Sequence, residues 1–246
     1  MELVRTENLY LAFGAIVVAD NINFSLQEGE RLAVIGANGA GKTTFINIVT
    51  GYLRARSGRI FFSGTDVTKM PPRGIVHLGL GRSFQLPQLF LEHTVRQCLE
   101  LAAVGRIGSL PLLKPLSASV DQSEIDHTLE VTGLATRGEE MASALGEGER
   151  KLLDVAMALV LRPKLLIMDE PTSGVASEEK HGIMETIMGA LAERKVTSWF
   201  VEHDVDVVTR HATRVAAWIS GRIAADGKPE QVFAEPEIRR QVLGTH

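Results

Sequence analysis

The stretch "GANGAGKT", Gly36–Thr43, decides the fold class. It fits G-x-x-x-x-G-K-[ST] without a gap. In front of it, "RLAVIG" (31–36) is short, apolar and β-branched, the pattern of a buried parallel strand. Behind it, "KTTFINIVTG" (42–51) places Phe45, Ile46, Ile48 and Val49 at helical spacing and ends in Gly51. Strand, glycine loop and helix together open an α/β sheet. The chemistry follows from the residue types. Gly39 and Gly41 let backbone N–H groups turn toward phosphates, and the new helix points its positive end at them. Lys42 reaches the β- and γ-phosphates, and the Thr43 hydroxyl suits Mg²⁺. The expected contact set is Gly36, Ala37, Asn38, Gly39, Ala40, Gly41, Lys42, Thr43 and Thr44.

"LLIMDE" (165–170) is the matching second half. Its apolar residues form a buried strand and deliver Asp169 to the end, where it can hold Mg²⁺ directly or through water. Glu170 then stands beside the γ-phosphate and polarises an attacking water. An apolar run ending in two acids is common by itself; the phosphate loop upstream is what gives it meaning. Three further residues are open to two readings each. His203 ends "SWFVEH" and is either a surface residue or a γ-phosphate contact. Gln85, in "GRSFQL", is either a polar turn residue or a sensor of Mg²⁺ and water. Phe13, in "LAFGA", is either an adenine-stacking ring or a core residue.

Around these motifs the texture changes twice. Alternation in Glu2–Leu9 and Ile22–Leu26, with "GRIFFSG" (58–64), predicts strands. After Gln85 the signal turns helical: from Thr94, a plausible N-cap, then 121–134 and 148–163, with a Gly/Pro/Ser loop at 105–119. The α/β texture returns at "KLLIMDEP" (164–171), "KVTSWFVEH" (195–203) and "TRVAAWISGRI" (213–223), where "SGR" begins a hairpin; short helices close the chain. Of 246 residues 45% are hydrophobic and the net charge is −4, enough for one substantial core or two modest lobes and no bulk field for nucleic acid or anionic lipid. One cysteine, Cys98, fits a reducing compartment. With no secretory start and no apolar run near the ~18 residues of a membrane span, the sequence predicts a soluble, cytosolic chain that meets a membrane only through a partner.

Taken in order, these residues resemble the ATP-binding subunit of ABC transporters over essentially the whole chain. The carriers are "YLAFG", "GANGAGKTT", "FQL", "LGEGE", "LLIMDEP", "SGVA" and "VEHD". "GRSFQLPQLFLEHTVRQ", "FVEHDVDVV" and "GKPEQVFAEPEIRRQVLG" look like the branched-chain amino-acid importer subset. The resemblance implies a single ABC ATPase domain: a P-loop NTPase (RecA-like) core with an antiparallel β subdomain, about 1–85 and 160–246, and an inserted α-helical subdomain, about 86–159. It implies ATP and Mg²⁺ as cofactors, with Glu170, His203 and Gln85 catalytic and Thr43, Gln85 and Asp169 at the metal. It also implies a second ABC ATPase subunit, identical or not, two membrane permease subunits, and indirectly a solute-binding protein. The chain would then sit on the inner face of the cell membrane, with the segment after Gln85 under a permease.

Two motifs depart from the family. Its signature usually reads L-S-G-G-Q or L-S-Y-G-Q; here Leu145, Gly146, Glu147, Gly148 and Glu149 stand in those places. Leu145, Gly146, Gly148 and Glu149 are the expected contacts to an ATP held by the opposite subunit. Gly146 lacks the family serine hydroxyl, and losing one such donor costs roughly 10²–10³ in rate by analogy with oxyanion-hole deletions. Ala176 replaces the polar residue of the family D-loop. Both losses fall on elements used across the dimer, so the expectation is an asymmetric heterodimer that hydrolyses the ATP on this chain well and its partner's slowly. The competing readings are an ATP-gated dimerisation module with negligible turnover and a non-transport ABC ATPase.

Overall fold

The computed structural model describes residues 1–85, 87–107 and 116–242. From the N-terminus come β1 (Glu2–Phe13), β2 (Ile16–Gln27), β3 (Arg31–Gly36), α1 (Lys42–Val49), β4 (Ser57–Phe62), β5 (Thr65–Asp66) and α2 (Pro72–His77). Then follow β6 (Leu80–Ser83), α3 (Val95–Ile107), α4 (Gln122–Val131), α5 (Glu147–Leu159), β7 (Leu165–Asp169) and α6 (Ser177–Glu193). The chain closes with β8 (Thr197–Val201), α7 (Val205–His211), β9 (Arg214–Ile219), β10 (Arg222–Gly227), α8 (Pro229–Ala234) and α9 (Pro236–Gln241). Two compact units result: Met1–Leu80 with the chain from Thr197 onward, and Gly81–Val196.

In the first unit an antiparallel sheet runs β2-β1-β4-β5. Both of its leading strands are longer than the alternation predicts, because they extend to a tight turn at Gly14, where Phe13 and Ile16 are exposed and carry no buried-face signal. The second set of strands runs β10-β9-β3-β8. β3 is parallel to both β8 and β9, and all residues of β8 are buried, which suits the predominantly apolar character of these runs. Ser220 and Gly221 both have positive φ and join β9 to β10 as a two-residue hairpin turn. Phe45 of α1 anchors the layer. It stacks on Trp218 at 4.7 Å between centroids and meets Trp199 at 5.3 Å and Phe24 at 5.6 Å.

In the second unit β6 lies beside β7, and three helices, α3, α4 and α5, share a core of Val95, Cys98, Leu99, Ile125, Leu129, Leu153 and Val160. Helix starts are set by local chemistry. The Thr94 hydroxyl accepts the Gln97 N–H (3.2 Å) and the Gln97 side chain accepts the Thr94 N–H (3.0 Å), a reciprocal capping box. Asp121 caps α4 through the N–H groups of Ser123 and Glu124. α5 ends at Leu159, four residues before the expected stop at Pro163. Leu116–Ser119 form a 3₁₀ turn at the end of the expected 105–119 loop, Gly105 belongs to α3, and 108–115 lie outside the described residues. α6 carries Ile183, Met184, Ile187, Met188 and Leu191 on its buried stripe; the sequence reading passed over it.

Candidate nucleotide site

The phosphate loop links β3 to α1 within the first unit. Gly41 has φ +106, and a Cβ there would lie 2.5 Å from the Val18 carbonyl oxygen. At Gly36 a Cβ would lie 2.4 Å from the Trp218 carbonyl oxygen. Any side chain at either position therefore collides with backbone, while Gly39 (φ +79) opens onto free space. Lys42 is buried, and its ammonium donates to the carbonyls of Gly36 (2.6 Å) and Ala37 (3.0 Å). The lysine thus lies folded back along the loop. Ala40 is buried, whereas Ala37, Asn38, Gly39 and Thr43 are exposed and Thr44 is half-buried. His203 is exposed beyond the end of β8 and lines one small cavity together with Gly36, the first glycine of the loop. Phe13 is 52% exposed at the β1–β2 turn, which removes the core reading.

The acidic half is built in the second unit. β7 buries Asp169 at 3% exposure, and the Arg82 guanidinium of β6 lies 3.7 Å from its carboxylate. Glu170 follows at φ +53, a left-handed conformation that costs a non-glycine residue about 1–3 kcal/mol and clusters at functional sites. Pro171 comes next and makes a helical continuation unfavourable. The Gln85 side-chain amide donates to the Glu170 carboxylate at 2.8 Å, across 85 positions of sequence. The Glu170 carbonyl accepts the Ser173 N–H at 3.1 Å.

The glycine-rich stretch 145–149 starts α5. Gly146 sits at the N-cap with ordinary extended geometry, φ −68 and ψ 168. Its N–H donates to the Glu149 carboxylate at 3.0 Å, and the Arg137 guanidinium pairs with the same carboxylate at 3.2 Å. Glu147 lies against Gly174: a Cβ on that glycine would sit 3.4 Å from the Glu147 Oε1. Glu149 therefore serves the loop's own geometry, while Glu147 lies beside the loop at Gly174. Leu145 is buried, and Gly148 is half-buried beside Ile183 of α6. Ala176 is exposed at the N-cap of α6.

Two residues that sequence reasoning missed hold this half together. Lys151, 3% exposed, donates its ammonium to the Gln85 carbonyl and to the Ser173 hydroxyl (3.3 Å). Asp154, 8% exposed, accepts the Phe84 N–H at 3.0 Å. Burial pushes the Asp154 carboxyl up to about 6, against the downward pull of the Phe84 N–H, the Lys151 charge and the Gln88 N–H. The available signal was periodicity, since 151, 154, 155, 158 and 159 form the buried stripe of α5 and two of them are charged.

A glycine phosphate loop between a parallel strand and a helix, with an acid pair ending a second strand, defines an α/β nucleotide-binding protein of the P-loop class. The pattern of the ABC transporter family matches residues 19–173, and the chain belongs to that family. A probable branched-chain amino acid transport ATP-binding protein of Archaeoglobus fulgidus is 36% identical, over 99% of this chain and 96% of that one. One of the same description from Methanocaldococcus jannaschii is 32% identical, over 99% and 98%. The crystal structure of the ADP conformation of an ATP-binding cassette of an ABC transporter superposes with a TM-score of 0.84, at 31% identity over 99% of each chain. The chain is accordingly an ATP-binding subunit of the ABC type, an ATPase. No helix among the described residues is long and apolar enough to cross a membrane.

Proposed function

We propose that this chain is the ATP-hydrolysing subunit of a membrane importer for branched-chain amino acids or a related small solute. The observation that carries the hydrolytic part is the Gln85 amide on the Glu170 carboxylate, at 2.8 Å. A glutamate set at φ +53 and steered by a neighbouring amide suits a base that polarises one water in one direction. The amino-acid part rests on the two relatives named for that transport.

In this reading the backbone of Gly36–Thr44 cradles the phosphates, Lys42 swings from its carbonyl partners to the β- and γ-oxygens, and Phe13 stacks on the adenine. Asp169, Thr43 and Gln85 are all-oxygen donors, a set that suits Mg²⁺ completed by phosphate and water. Bound Mg²⁺ would supply charge neutralisation at the phosphates. Glu170 accepts the proton of the attacking water, and His203 orients that water against the γ-phosphate. Leu145, Gly146, Gly148 and Glu149 face the ATP of a second ABC subunit. The chain is read as one ABC ATPase domain, a core of about 1–85 and 160–246 with a helical subdomain of about 86–159. It works at the inner face of the membrane under two permease subunits, served indirectly by a solute-binding protein.

The test is Glu170→Gln in the complex with its partner subunits. We expect turnover to fall by about 10²-fold or more while ATP binding is kept. Retention of half or more of the activity would defeat the assignment of Glu170 and the asymmetric heterodimer with it. Gly146 and Ala176 favour one other reading, an ATP-gated dimerisation module; negligible turnover in the unaltered complex, with ATP-dependent pairing of the subunits, would establish that instead.

A further inference from the structure

We propose that Lys151 is a positioning residue for hydrolysis, fixing the Gln85 carbonyl and the Ser173 hydroxyl from α5 and so holding Gln85 and Glu170 in register. The inference rests on the reading of Glu170 as the base and adds the element that aims it.

The contacts close into a ring. The Lys151 ammonium donates to the Gln85 carbonyl, and the Gln85 amide donates to the Glu170 carboxylate at 2.8 Å. The Ser173 N–H donates to the Glu170 carbonyl at 3.1 Å, and Lys151 donates to the Ser173 hydroxyl at 3.3 Å. Glu170 is thus gripped at its side chain through one arm and at its backbone through the other, and both arms meet at one ammonium. This is the over-determination that a left-handed glutamate needs in order to persist. A buried ammonium is unfavourable unless it is well bonded, so an apolar residue of similar length would serve the packing of α5 at less cost. One turn further along α5, Asp154 accepts the Phe84 N–H at 3.0 Å. The Phe84 N–H, one residue before Gln85, and the Gln85 carbonyl are therefore both tied to the same helix, leaving the side chain a fixed origin from which to reach Glu170. That helix begins at Gly146, so the ring connects the base to the signature loop of its own chain.

The experiment compares Lys151→Met, Lys151→Arg and Ser173→Ala in the full chain, with hydrogen exchange as the first readout. In Lys151→Met the Phe84 and Ser173 amides should exchange at least about tenfold faster, while the amides of Leu153–Leu159 keep their protection. In the complex, kcat should fall by up to about 10²-fold with KM for ATP unchanged, the signature of a misaimed group rather than of lost binding. Lys151→Arg, which keeps the donors, should recover most of both readouts. Ser173→Ala removes one arm without stranding a charge and should show a smaller loss of kcat at unchanged melting temperature. Unchanged exchange in Lys151→Met, a parallel loss of kcat and ATP affinity, or an arginine variant no better than methionine would overturn the proposal. If Lys151→Met fails to fold, Ser173→Ala decides: wild-type exchange and kcat there would overturn it as well. Failure of the base assignment shows separately, as turnover surviving in Glu170→Gln while the exchange results stand.

Discussion

The chain has two glycine-rich loops that each start a helix, and their glycines are there for different reasons. In Gly36–Thr43 the backbone has no room for a side chain at Gly36 or Gly41 and turns left-handed at Gly39 and Gly41. In Leu145–Glu149 the glycine at the helix start has ordinary φ and ψ, and a Cβ on Gly146 would meet only the Glu149 Oε2, at 3.8 Å. The first loop is glycine-rich by steric necessity. The second carries a glycine that its own fold does not require, so sterics within this chain do not decide what stands at 146. Charge divides them the same way. Lys42 is folded along the first loop on its carbonyls, whereas in the second Glu149 bonds the helix start and Glu147 lies against Gly174 of a neighbouring loop.

The largest effect should come from breaking the first loop. Gly41→Ala forces a Cβ to 2.5 Å from the Val18 carbonyl at a φ of +106. Backbone strain and collision together should cost about 2–3 kcal/mol, a melting temperature lower by roughly 5–10 °C for a chain of this size. ATP binding should be lost with it, because the displaced amides no longer converge. Calorimetry and nucleotide titration measure the two parts. Wild-type values for both would mean that the loop tolerates a side chain and that the contrast with Gly146 is empty.

A smaller effect sharpens the contrast from beneath the second loop, where α5 carries a buried carboxyl that the first loop lacks. Asp154 titrates near 6 in the fold against an ordinary 3.8. A carboxyl raised in the folded state binds more protons there than in the unfolded chain, so its contribution to stability declines as pH rises from about 4 to 6 and is constant above. Asp154→Asn retains an acceptor for the Phe84 N–H and removes the titration. The stability of the natural chain minus that of the variant should therefore drop by about 1 kcal/mol between pH 5 and 7. A difference that is flat over this range, or one that grows, would show that the carboxyl is not held up by burial.

What the sequence made legible follows the range of each interaction. The phosphate loop, the capping of α3 by Thr94 and Gln97, and the hairpin at Ser220–Gly221 are local, so their residue types speak for themselves. The buried runs of β3 and β7 were equally plain because every residue in their middle is apolar, and β8 because Trp199, Phe200 and Val201 follow one another. The partners of Glu170 were not. Gln85 lies 85 positions away, and its carbonyl is held by a lysine 66 positions further from it, distances over which one sequence shows no pairing. α6 was missed because Gly182 and Gly189 dilute a stripe that is otherwise regular at Ile183, Met184, Ile187 and Leu191. Lys151 and Asp154 carry no motif, and only their burial places them on the inner face of α5. Conversely, Phe13 could be separated from the core only by its exposure at the turn.

The smallest structural effect carries the most functional information. Gly146→Ser adds a side chain at φ −68 with nothing nearer than the Glu149 carboxylate at 3.8 Å. The Gly146 N–H already donates to Glu149, so a hydroxyl at this position completes the reciprocal cap with the Glu149 N–H. Stability should rise by only a few tenths of a kcal/mol, since glycine and serine differ little at an N-cap. In the complex with its partner subunits, total ATP turnover should increase if, as proposed, this loop faces the ATP of a second subunit, because the hydroxyl would restore a donor there. The two readouts separate the alternatives. Higher turnover at nearly constant melting temperature supports a weakened second site. Unaltered turnover means that the helix start alone serves that phosphate and that Gly146 has no kinetic consequence. A loss of more than about 1 kcal/mol would contradict the comparison itself, by showing that the second loop needs its glycine as the first one does.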